Sequence, residues 1–417
     1  MARSFKTLST EQDFQEFAQV YVNAYPSMGQ PAEQMAQRLY EVSTKDEASE
    51  FIGVVENGIL VGGMRLIDYK MNYYGEMILA GGVGGVAVDL LHKKKGLAKD
   101  LINYYLDYYE EKGAALAFLY PFRPDFYYKM GFGYGTKMNQ YSFSPASLPS
   151  GEFSGELVYL TGEDLPLIRD FYEKLTKTKH GYCLKSGWEY EGLIKHSATP
   201  RLMVGYKEAN ELKGYLTFGF RKGHENNFVK NNMHIREWLW ETPEALNGLC
   251  HFLQTQADQI NRIIFNTQDA DFHWLLKDVR NPSDNIIPSV YHESNTAGVG
   301  VMYRIISISK FIAINSKRDF NGVNLNFALV GKDTLRPQNQ GVYHVAITNG
   351  RMTVSETPLE NAVKLTLNIA DLSALFLGSV DIKTLFRLGK LNLSPHDMEL
   401  VHQAFRVEAK PECISAF

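Results

Sequence analysis

The chain has 417 residues, and its 43 lysine and arginine residues against 47 aspartate and glutamate residues give a formal net charge of −4. This near-neutral balance, without a massed basic stretch, argues against a nucleic-acid-binding protein. The three cysteines are odd in number and far apart, which predicts neither a disulfide framework nor a Cys-x-x-Cys metal site. The length exceeds that of one ordinary domain and predicts two or three.

The sequence lacks the patterns of membrane spans, export signals and metal sites. Its longest apolar stretch, 77–88, is rich in glycine and too short to cross a bilayer. The first residues lead toward a polar helical pattern rather than an apolar signal core. The eleven histidines show no His-x-x-x-His spacing. We therefore expect a soluble cytoplasmic protein without a metal.

The first region has the pattern of a mixed α/β unit. Its predicted elements are helices at 10–25 and 31–41, strands at 51–56, 59–68 and 77–88, a helix at 97–112 and a strand at 114–120. Asn57-Gly58 has the composition of a two-residue hairpin turn between the first two strands. A hairpin, a strand, a helix and a strand in this order predict a mixed sheet flanked by helices.

A basic loop lies between the strand that ends at Val88 and the helix that begins near Leu97. It contains three lysines, Lys93 to Lys95, and Gly96 stands at the mouth of the helix. Free backbone N–H groups at a helix start, the positive end of the helix dipole and the lysines together favour a polyanion. The loop fits neither the Walker pattern nor Gly-x-Gly-x-x-Gly.

This loop resembles the pyrophosphate loop of the GNAT acetyltransferase superfamily. The superfamily pattern, Arg/Gln-x-x-Gly-x-Gly/Ala, falls on Lys93, Gly96 and Ala98, with lysine at the position usually held by arginine or glutamine. The resemblance implies acetyl-CoA as the co-substrate. It implies that the coenzyme is bound by Val86, Ala87, Val88, Lys93, Lys94, Lys95, Gly96, Leu97, Ala98, Lys99, Phe122 and Arg123.

A second element of the superfamily, Tyr-x-x-x-Gly-Phe, follows about 30 residues later and maps to Tyr127, Gly131 and Phe132. The resemblance implies that Tyr127 protonates the departing thiolate of coenzyme A. Tyr128 is the alternative, because a one-residue slip exchanges the two tyrosines, although the spacing to Gly131 favours Tyr127. Two motifs in the right order are more specific than either alone.

The second region repeats this plan in degraded form after a linker at 145–155 that is rich in proline, serine and glycine. Its predicted elements are a helix at 165–178, a hairpin of 201–206 with 212–221, a strand at 233–240 and a helix at 243–257. Glu241, Pro243 and Glu244 stand where the first copy has its basic glycine loop. Acidic side chains would repel a pyrophosphate, so we expect no coenzyme A site here.

The third region begins near Ser289, and we expect 301–306 to open it as a strand. Further predicted elements are strands at 323–329, 342–348 and 365–369 and short helices at 369–377 and 381–388. Gly378 and Gly389 are the stop signals of the two helices. The layout resembles a sterol-carrier-like α+β domain, whose fold often serves only as scaffold.

The whole chain thus resembles the enhanced intracellular survival (Eis) family of aminoglycoside N-acetyltransferases, over essentially its full length. The implied fold is two fused GNAT-type mixed-sheet domains and a sterol-carrier-like α+β domain, at 1–148, 149–288 and 289–417. The resemblance implies a homohexamer. It also implies that the C-terminal carboxylate, here on Phe417, is the general base, and that the acceptor pocket is acidic and aromatic. Possible contributors to that pocket are Tyr25, Trp188 and Glu412.

Three hypotheses about activity stay open at this point. The first is acetyl transfer to amines of aminoglycoside-like polycations, at one or several positions. The second is the same chemistry on protein lysines or small metabolic amines, and the third is a lipid-binding scaffold. The chain departs from the family in one loop, which is rich in arginine in the family and has lysines here. Lysine keeps the positive charge but lacks the planar, two-pronged guanidinium group of arginine.

Overall fold

A computed structural model describes residues 3–194 and 201–415 of the chain. In chain order its strands are β1 (Arg3–Thr7), β2 (Ser49–Glu56), β3 (Ile59–Tyr73), β4 (Glu76–Val88), β5 (Leu116–Leu119), β6 (Gly133–Tyr134), β7 (Met138–Phe143), β8 (Glu156–Tyr159), β9 (Leu202–Glu208), β10 (Glu211–Lys222), β11 (Asn231–Trp240), β12 (Ile260–Thr267), β13 (Ile286–Ile287), β14 (Tyr291–His292), β15 (Asn295–Gly298), β16 (Met302–Ile305), β17 (Leu325–Lys332), β18 (Gly341–Thr348), β19 (Arg351–Ser355) and β20 (Val363–Asn368). The helices are α1 (Glu11–Ala24), α2 (Ala32–Lys45), α3 (Leu97–Glu111), α4 (Pro124–Lys129), α5 (Leu165–Thr176), α6 (Gly187–Ile194), α7 (Pro243–Thr255), α8 (Ile308–Ile314), α9 (Ile369–Phe376), α10 (Ile382–Arg387) and α11 (Pro395–Phe405).

Local signals set several of these boundaries. The Thr10 side chain accepts a hydrogen bond from the Asp13 N–H, and the Asp13 carboxylate accepts from the Thr10 N–H, so a capping box starts α1. Asn57 and Gly58 have φ angles of 53° and 80° and join β2 to β3. These left-handed values are those of a tight hairpin turn, as the Asn-Gly pair predicts.

The chain forms two compact units, which comprise Met1–Thr136, Lys179–Ser186 and Gly300–Phe417 in the first and Lys137–Thr178 and Gly187–Val299 in the second. In the first unit a seven-stranded mixed sheet has the order β1-β2-β3-β4-β5-β16-β6. Only β4 and β5 pair in parallel within the described sheet. This unit therefore holds both the first α/β region and the third region of the chain.

One strand lies in a different sheet from the one that its sequence position suggests. The sequence analysis places 301–306 at the start of the third region, but β16 pairs antiparallel with β5 and with β6 in the first sheet. Its four residues are all buried. The strand pattern itself is right, but an apolar run does not encode which sheet edge it joins, because that depends on residues almost 200 positions away.

The third region packs against the first sheet through one continuous apolar core. A four-stranded sheet with the order β19-β18-β17-β20 and the helices α8 to α11 build this region. Its Phe311 and Phe376 share a cluster with Tyr73 of β3, and the Phe311 ring lies 5.6 Å from the Tyr73 ring. The last strand and the last helices close over the same core.

The second unit repeats the plan of the first sheet. Its seven strands have the order β8-β9-β10-β11-β12-β7-β15, in which β11 and β12 are the parallel pair. Helix α7 covers this sheet with buried Leu249 and Leu253, which pack with Trp238 and Ile263. The predicted fold class, mixed α/β units with an α+β region, is confirmed, whereas the domain limits at 148 and 288 stay a prediction.

Candidate active site

The two parallel strands of the first sheet diverge at their carboxyl ends. Their paired register runs from Ala80 opposite Leu116 to Gly82 opposite Phe118. Strand β4 then continues to Val88, whereas β5 ends at Leu119. A gap opens between them, and a gap at the carboxyl ends of parallel strands is a common place for a ligand in α/β folds.

A tyrosine from α3 joins the two strands where the gap begins. The Tyr105 hydroxyl accepts a hydrogen bond from the Phe118 N–H (3.0 Å) and donates one to the Gly81 carbonyl (2.6 Å). Tyr105 is fully buried, and burial raises its pKa well above the usual value, so the phenol stays neutral. The parallel pairing is thereby stabilised up to the point at which the strands separate.

A β-bulge lies in β4 beside this gap. Gly63 of β3 is opposite Ala87 and Arg65 is opposite Gly84, so Gly85 and Val86 together face one residue of β3. Gly85 has a φ of 59°, and a Cβ atom there would lie 2.9 Å from the ring of Tyr21. The bulge turns backbone groups out of the ladder, where they become available to a ligand.

Tyr25, at the end of α1, holds the bulge from the other side. Its hydroxyl donates a hydrogen bond of 2.7 Å to the carbonyl oxygen of Val86. Its ring makes an edge contact of 6.1 Å with the exposed ring of Phe122. Burial raises the pKa of Tyr25, so the phenol remains a donor at neutral pH.

The basic loop leads into an open helix N-terminus. Gly96 precedes α3 with a φ of 88°, and its N-cap position has no side-chain hydrogen bond. Leu97 and Leu101 anchor the first turn in the core, while Lys93 and Lys94 are exposed. An uncapped helix start with cations beside it is suited to a phosphate group.

The loop is braced from β1, which the sequence analysis does not predict. The Arg3 guanidinium donates to the Lys95 carbonyl (2.9 Å) and contacts the Asp100 carboxylate in the first turn of α3. It also lies 3.7 Å from the carboxylate of Glu56. Arg3 thus ties the end of the loop to the first turn of α3, although both partners are more than 90 positions away in sequence.

His92 forms the other brace of the loop. Its Nδ1 atom lies 2.7 Å from the Asp89 carboxylate, and its Nε2 atom lies 3.6 Å from the Glu56 carboxylate. The hydrogen bond to His92 holds the pKa of Asp89 below its usual value. The 3₁₀ turn Leu90–His92 is therefore fixed at both ends before the lysines begin.

These elements surround a cavity of about 460 Å³. This volume lies within the range of small-molecule sites. The cavity is lined by Ala24, Tyr25, Val86, Val88, His92, Lys93, Lys94, Gly96, Leu97, Ala98, Lys99, Phe122, Arg123, Phe126 and Tyr127. The structure thus brings ten of the twelve expected coenzyme-binding residues together with Tyr127.

Two expected residues do not line the cavity, and three that do were not expected there. Ala87 is buried in the sheet, and Lys95 contributes its carbonyl to Arg3 instead. Ala24, His92 and Phe126 are the additions. Each of the three adjoins a predicted residue, namely Tyr25, Lys93 or Tyr127, so proximity in sequence was the available signal for them.

Tyr127 presents its hydroxyl to the cavity from α4. The side chain is 6% exposed, and burial raises its pKa to about 12. Within residues 3–194 and 201–415 its hydroxyl makes no hydrogen bond to the protein. A neutral phenol with a free proton beside a ligand gap can act as a general acid.

Tyr128 is engaged elsewhere. Its hydroxyl lies 3.0 Å from the carboxylate of Asp371 and 2.8 Å from the amino group of Lys390, both in the third region. It also lies 3.4 Å from the side-chain amide of Asn368. Because the Tyr128 hydroxyl is already hydrogen-bonded to side chains of the third region, the geometry favours Tyr127 as the acid.

The residues expected on the acceptor side fall in three places. Tyr25 lines the cavity, and Trp188 lies on α6 of the second unit. Glu412 lies in the C-terminal segment, where its N–H donates to the His180 carbonyl (2.9 Å). Phe417, the expected general base, lies outside the described residues.

The corresponding strand-to-helix junction of the second unit is built differently. The Thr242 side chain accepts a hydrogen bond from the Ala245 N–H, so α7 is capped by its own chain, and Pro243 begins the helix. Glu241 pairs with Lys174 at 2.5 Å. A capped N-terminus with an acidic neighbour offers little to a phosphate.

The described residues show neither a cluster of metal ligands nor a membrane-spanning helix. No group of three or more histidine, cysteine, aspartate or glutamate side chains in residues 3–194 and 201–415 is arranged to hold a metal ion. Over the same residues, no helix has both the length and the apolar character that crossing a bilayer requires.

Comparison with protein families divides the chain into three matches. Residues 6–135 match an acetyltransferase (GNAT) domain, and residues 184–305 match a second model of the same description. Residues 312–414 match a sterol carrier protein domain. GNAT domains use acetyl-CoA as co-substrate.

Whole-chain relatives agree with this division. An uncharacterized N-acetyltransferase of Streptomyces avermitilis is 22% identical, with 88% of this chain and 89% of the relative covered. The structure of a GCN5-related N-acetyltransferase from Anabaena variabilis matches 99% of this chain and all of its own, with a TM-score of 0.81 at 19% identity. Eis1 from Mycobacterium abscessus matches over all of both chains, with a TM-score of 0.74 at 15% identity.

The protein is therefore an N-acetyltransferase with two GNAT domains and a sterol carrier protein domain. This conclusion rests on the two domain matches and on the names of the relatives, while the structural likenesses show the fold.

Proposed function

We propose that the first GNAT domain transfers the acetyl group of acetyl-CoA to amines of aminoglycoside-like polycationic small molecules, at one or several positions. The observation that carries the proposal for the site is the free hydroxyl of Tyr127 in a cavity between a bulged strand and an uncapped helix. The acceptor class rests on the resemblance of the whole chain to the enhanced intracellular survival family. That resemblance also leads us to propose a homohexamer.

The coenzyme would lie with its pyrophosphate over the start of α3. Backbone N–H groups at Gly96 to Ala98 and the charges of Lys93 and Lys94 hold the phosphates. The pantetheine and the thioester oxygen lie along Val86 to Val88, where the bulge frees backbone groups. Phe122 and Arg123 border the same cavity from the side of β5.

The chemistry requires a neutral amine, a polarised carbonyl and a proton for the leaving group. The amine nitrogen attacks the thioester carbon, the carbon–nitrogen bond forms and the carbon–sulfur bond breaks. Tyr127 donates its phenolic proton to the departing thiolate, which its raised pKa of about 12 allows because the phenol is neutral at pH 7. The amine proton leaves to the terminal carboxylate of Phe417, directly or through water.

Positioning supplies a large part of the rate in such a two-substrate reaction. The Tyr25 hydroxyl fixes the bulge at Val86, and the Tyr105 hydroxyl fixes the point at which β4 and β5 separate. Both side chains thereby set the distance between the thioester and Tyr127. In this proposal the second GNAT domain binds no coenzyme, since Thr242 already caps its helix α7.

The test is thiol release from acetyl-CoA with a panel of aminoglycosides, polyamines and lysine peptides, followed by mass spectrometry of the products. We expect acetylated aminoglycosides, with more than one acetyl group where several amines are accessible. Turnover with lysine peptides or small metabolic amines alone would contradict the proposed acceptor class and support the second hypothesis. Absence of turnover with every amine would contradict the acceptor proposal as a whole.

A further inference from the structure

The last described segment of the chain, Pro411–Ser415, is packed although it has no regular secondary structure. Its side chains alternate between buried and half-buried, and Cys413 and Ser415 are 0% and 2% exposed. An alternation with a period of two is that of an extended chain lying on a surface. The final residues of a domain fray unless something holds them.

Three parts of the first unit hold this segment by its backbone. The Thr136 hydroxyl donates to the Pro411 carbonyl (2.6 Å), and the Glu412 N–H donates to the His180 carbonyl (2.9 Å). The Tyr120 hydroxyl lies 3.4 Å from the Cys413 carbonyl and 3.3 Å from the Ser415 carbonyl. Both carbonyls are within reach of the phenolic proton.

The C-terminal segment passes close to the backbone of Gly181. Gly181 has a φ of 92°, and a Cβ atom there would lie 2.6 Å from the Glu412 carbonyl oxygen. Any larger residue would therefore push the segment away as well as strain its own backbone. The position of the segment therefore depends on a residue more than 200 positions away in sequence.

Tyr120 differs from Thr136 and His180, which also hold the segment, because it adjoins residues of the cavity wall. It directly follows β5, and Phe122 and Arg123, two and three positions later, line the cavity that contains Tyr127. The Tyr120 side chain is 38% exposed, but desolvation of its hydroxyl, together with the adjacent Cys413, raises its pKa, so the phenol keeps the proton that it donates. One side chain therefore connects the wall of the coenzyme cavity to the end of the chain.

We propose that Tyr120 is a positioning residue for acetyl transfer, which acts by fixing the C-terminal segment Pro411–Ser415 at the end of β5, where the chain leads into the cavity wall. The proposal rests on the proposed function in one respect, namely that the chain terminus takes part in removing the amine proton. Tyr120 itself contacts neither substrate in this proposal and makes or breaks no covalent bond. Its hydroxyl, rather than its ring, carries the effect.

The test compares the full-length enzyme with Tyr120→Phe, which keeps the ring and removes the hydroxyl. We expect kcat to fall about tenfold, the effect of one hydrogen bond of about 1.4 kcal/mol, with the KM for acetyl-CoA unchanged. Hydrogen exchange of the peptide that contains residues 406–415, measured without substrate by mass spectrometry, should become faster. Tyr159→Phe is the matched control, because Tyr159 is 67% exposed in the second unit.

A second variant separates positioning from a general loss of structure. With one glycine added after Phe417, the terminal carboxylate is displaced, so Tyr120→Phe should lower kcat no further in that background. Full additivity of the two changes would overturn the proposal. So would unchanged exchange in Tyr120→Phe, or faster exchange with unchanged kcat.

Failure of this inference can be told apart from failure of the proposed function. A wrong acceptor class would show as wild-type turnover with amines other than aminoglycosides, and the Tyr120 comparison can then be made on the amine that the enzyme accepts. The exchange measurement needs no acceptor. If the added glycine alone lowers kcat, equal kcat values for wild type and Tyr120→Phe on a good substrate would overturn the inference alone, whereas full activity of the glycine-extended enzyme would contradict the proposed role of the terminal carboxylate.

Discussion

The two GNAT domains each have a strand-to-helix junction of the same architecture, but the helix begins differently in each. In the first GNAT domain, β4 leads through a basic loop to Gly96, and α3 begins without a side-chain cap. In the second, β11 leads within two residues to Thr242, whose side chain caps α7. Both strands are bulged against their neighbours, and both pair in parallel with the strand after the helix.

The difference lies in which group satisfies the free N–H groups at the helix start. A threonine cap contributes about 1 kcal/mol to helix stability and occupies the position that a phosphate would take. A glycine at the same point contributes no cap and leaves the N–H groups to a ligand. The first junction therefore leaves N–H groups open to a ligand and lacks the stability of a cap, whereas the second has the cap and leaves fewer such groups open.

The largest effect is expected from the buried ion pair that joins β16 to the third region. Arg304 and Asp333 are 0% and 1% exposed and lie 2.6 Å apart, and Arg304 also donates to the carbonyl of Met130 at the end of α4. Arg304→Met should lower the free energy of unfolding by about 3 to 5 kcal/mol, because it leaves a buried carboxylate unpaired. Urea denaturation followed by fluorescence would measure this.

The matched change in the second unit is Arg280→Met. Arg280 pairs with Asp278 at 2.7 Å, but both side chains are exposed, so we expect no measurable loss of stability. Equal stability losses for Arg304→Met and Arg280→Met would contradict the view that the Arg304 pair links the α4 turn to the third region.

Tyr127→Phe should lower turnover about 10²-fold, because the departing thiolate then lacks its proton donor. Coenzyme A binding should change little, since the phenyl ring still lines the cavity. Steady-state kinetics and calorimetric titration with coenzyme A would measure the two quantities separately. Tyr128→Phe is the control, and a larger loss of turnover in that variant would reverse the assignment of the acid.

Charge exchange at the two junctions tests the comparison directly. Lys93→Glu should weaken coenzyme A binding about tenfold, because an anion replaces a cation beside the pyrophosphate. Glu244→Lys, in the first turn of α7, should create no binding in the second domain and leave the dissociation constant as it is. Calorimetric titration that finds two sites in Glu244→Lys would show that the cap at Thr242 is not the obstacle.

The smallest effect is expected for the cap itself. Thr242→Ala removes the acceptor of the Ala245 N–H and should lower stability by about 1 kcal/mol. Acetyl transfer should stay at the wild-type rate, since the second domain is proposed to bind no coenzyme. A thermal melt and a turnover assay on the same preparation would measure both, and a large loss of activity would contradict the proposed division of roles.

The sequence predicted those parts of the candidate site that are encoded by short motifs. Gly96 with its lysines and Tyr127 with Gly131 are motifs of six residues or fewer, and the structure places them around one cavity. The choice between Tyr127 and Tyr128 was open, because a helix turns their side chains to different sides only once its packing is known. Asp371 and Lys390, which bind Tyr128, lie more than 240 positions away.

Local chemistry therefore decided where helices and strands begin. Thr10 with Asp13 starts α1, and Asn57-Gly58 turns the first hairpin, because each signal acts through backbone groups a few residues away. Tertiary structure alone decided that β16 joins the first sheet, that Arg3 contacts the basic loop and that Tyr120 holds the C-terminal segment. These contacts join residues 92 to 295 positions apart, and apolar or aromatic side chains do not encode their distant partners in local sequence.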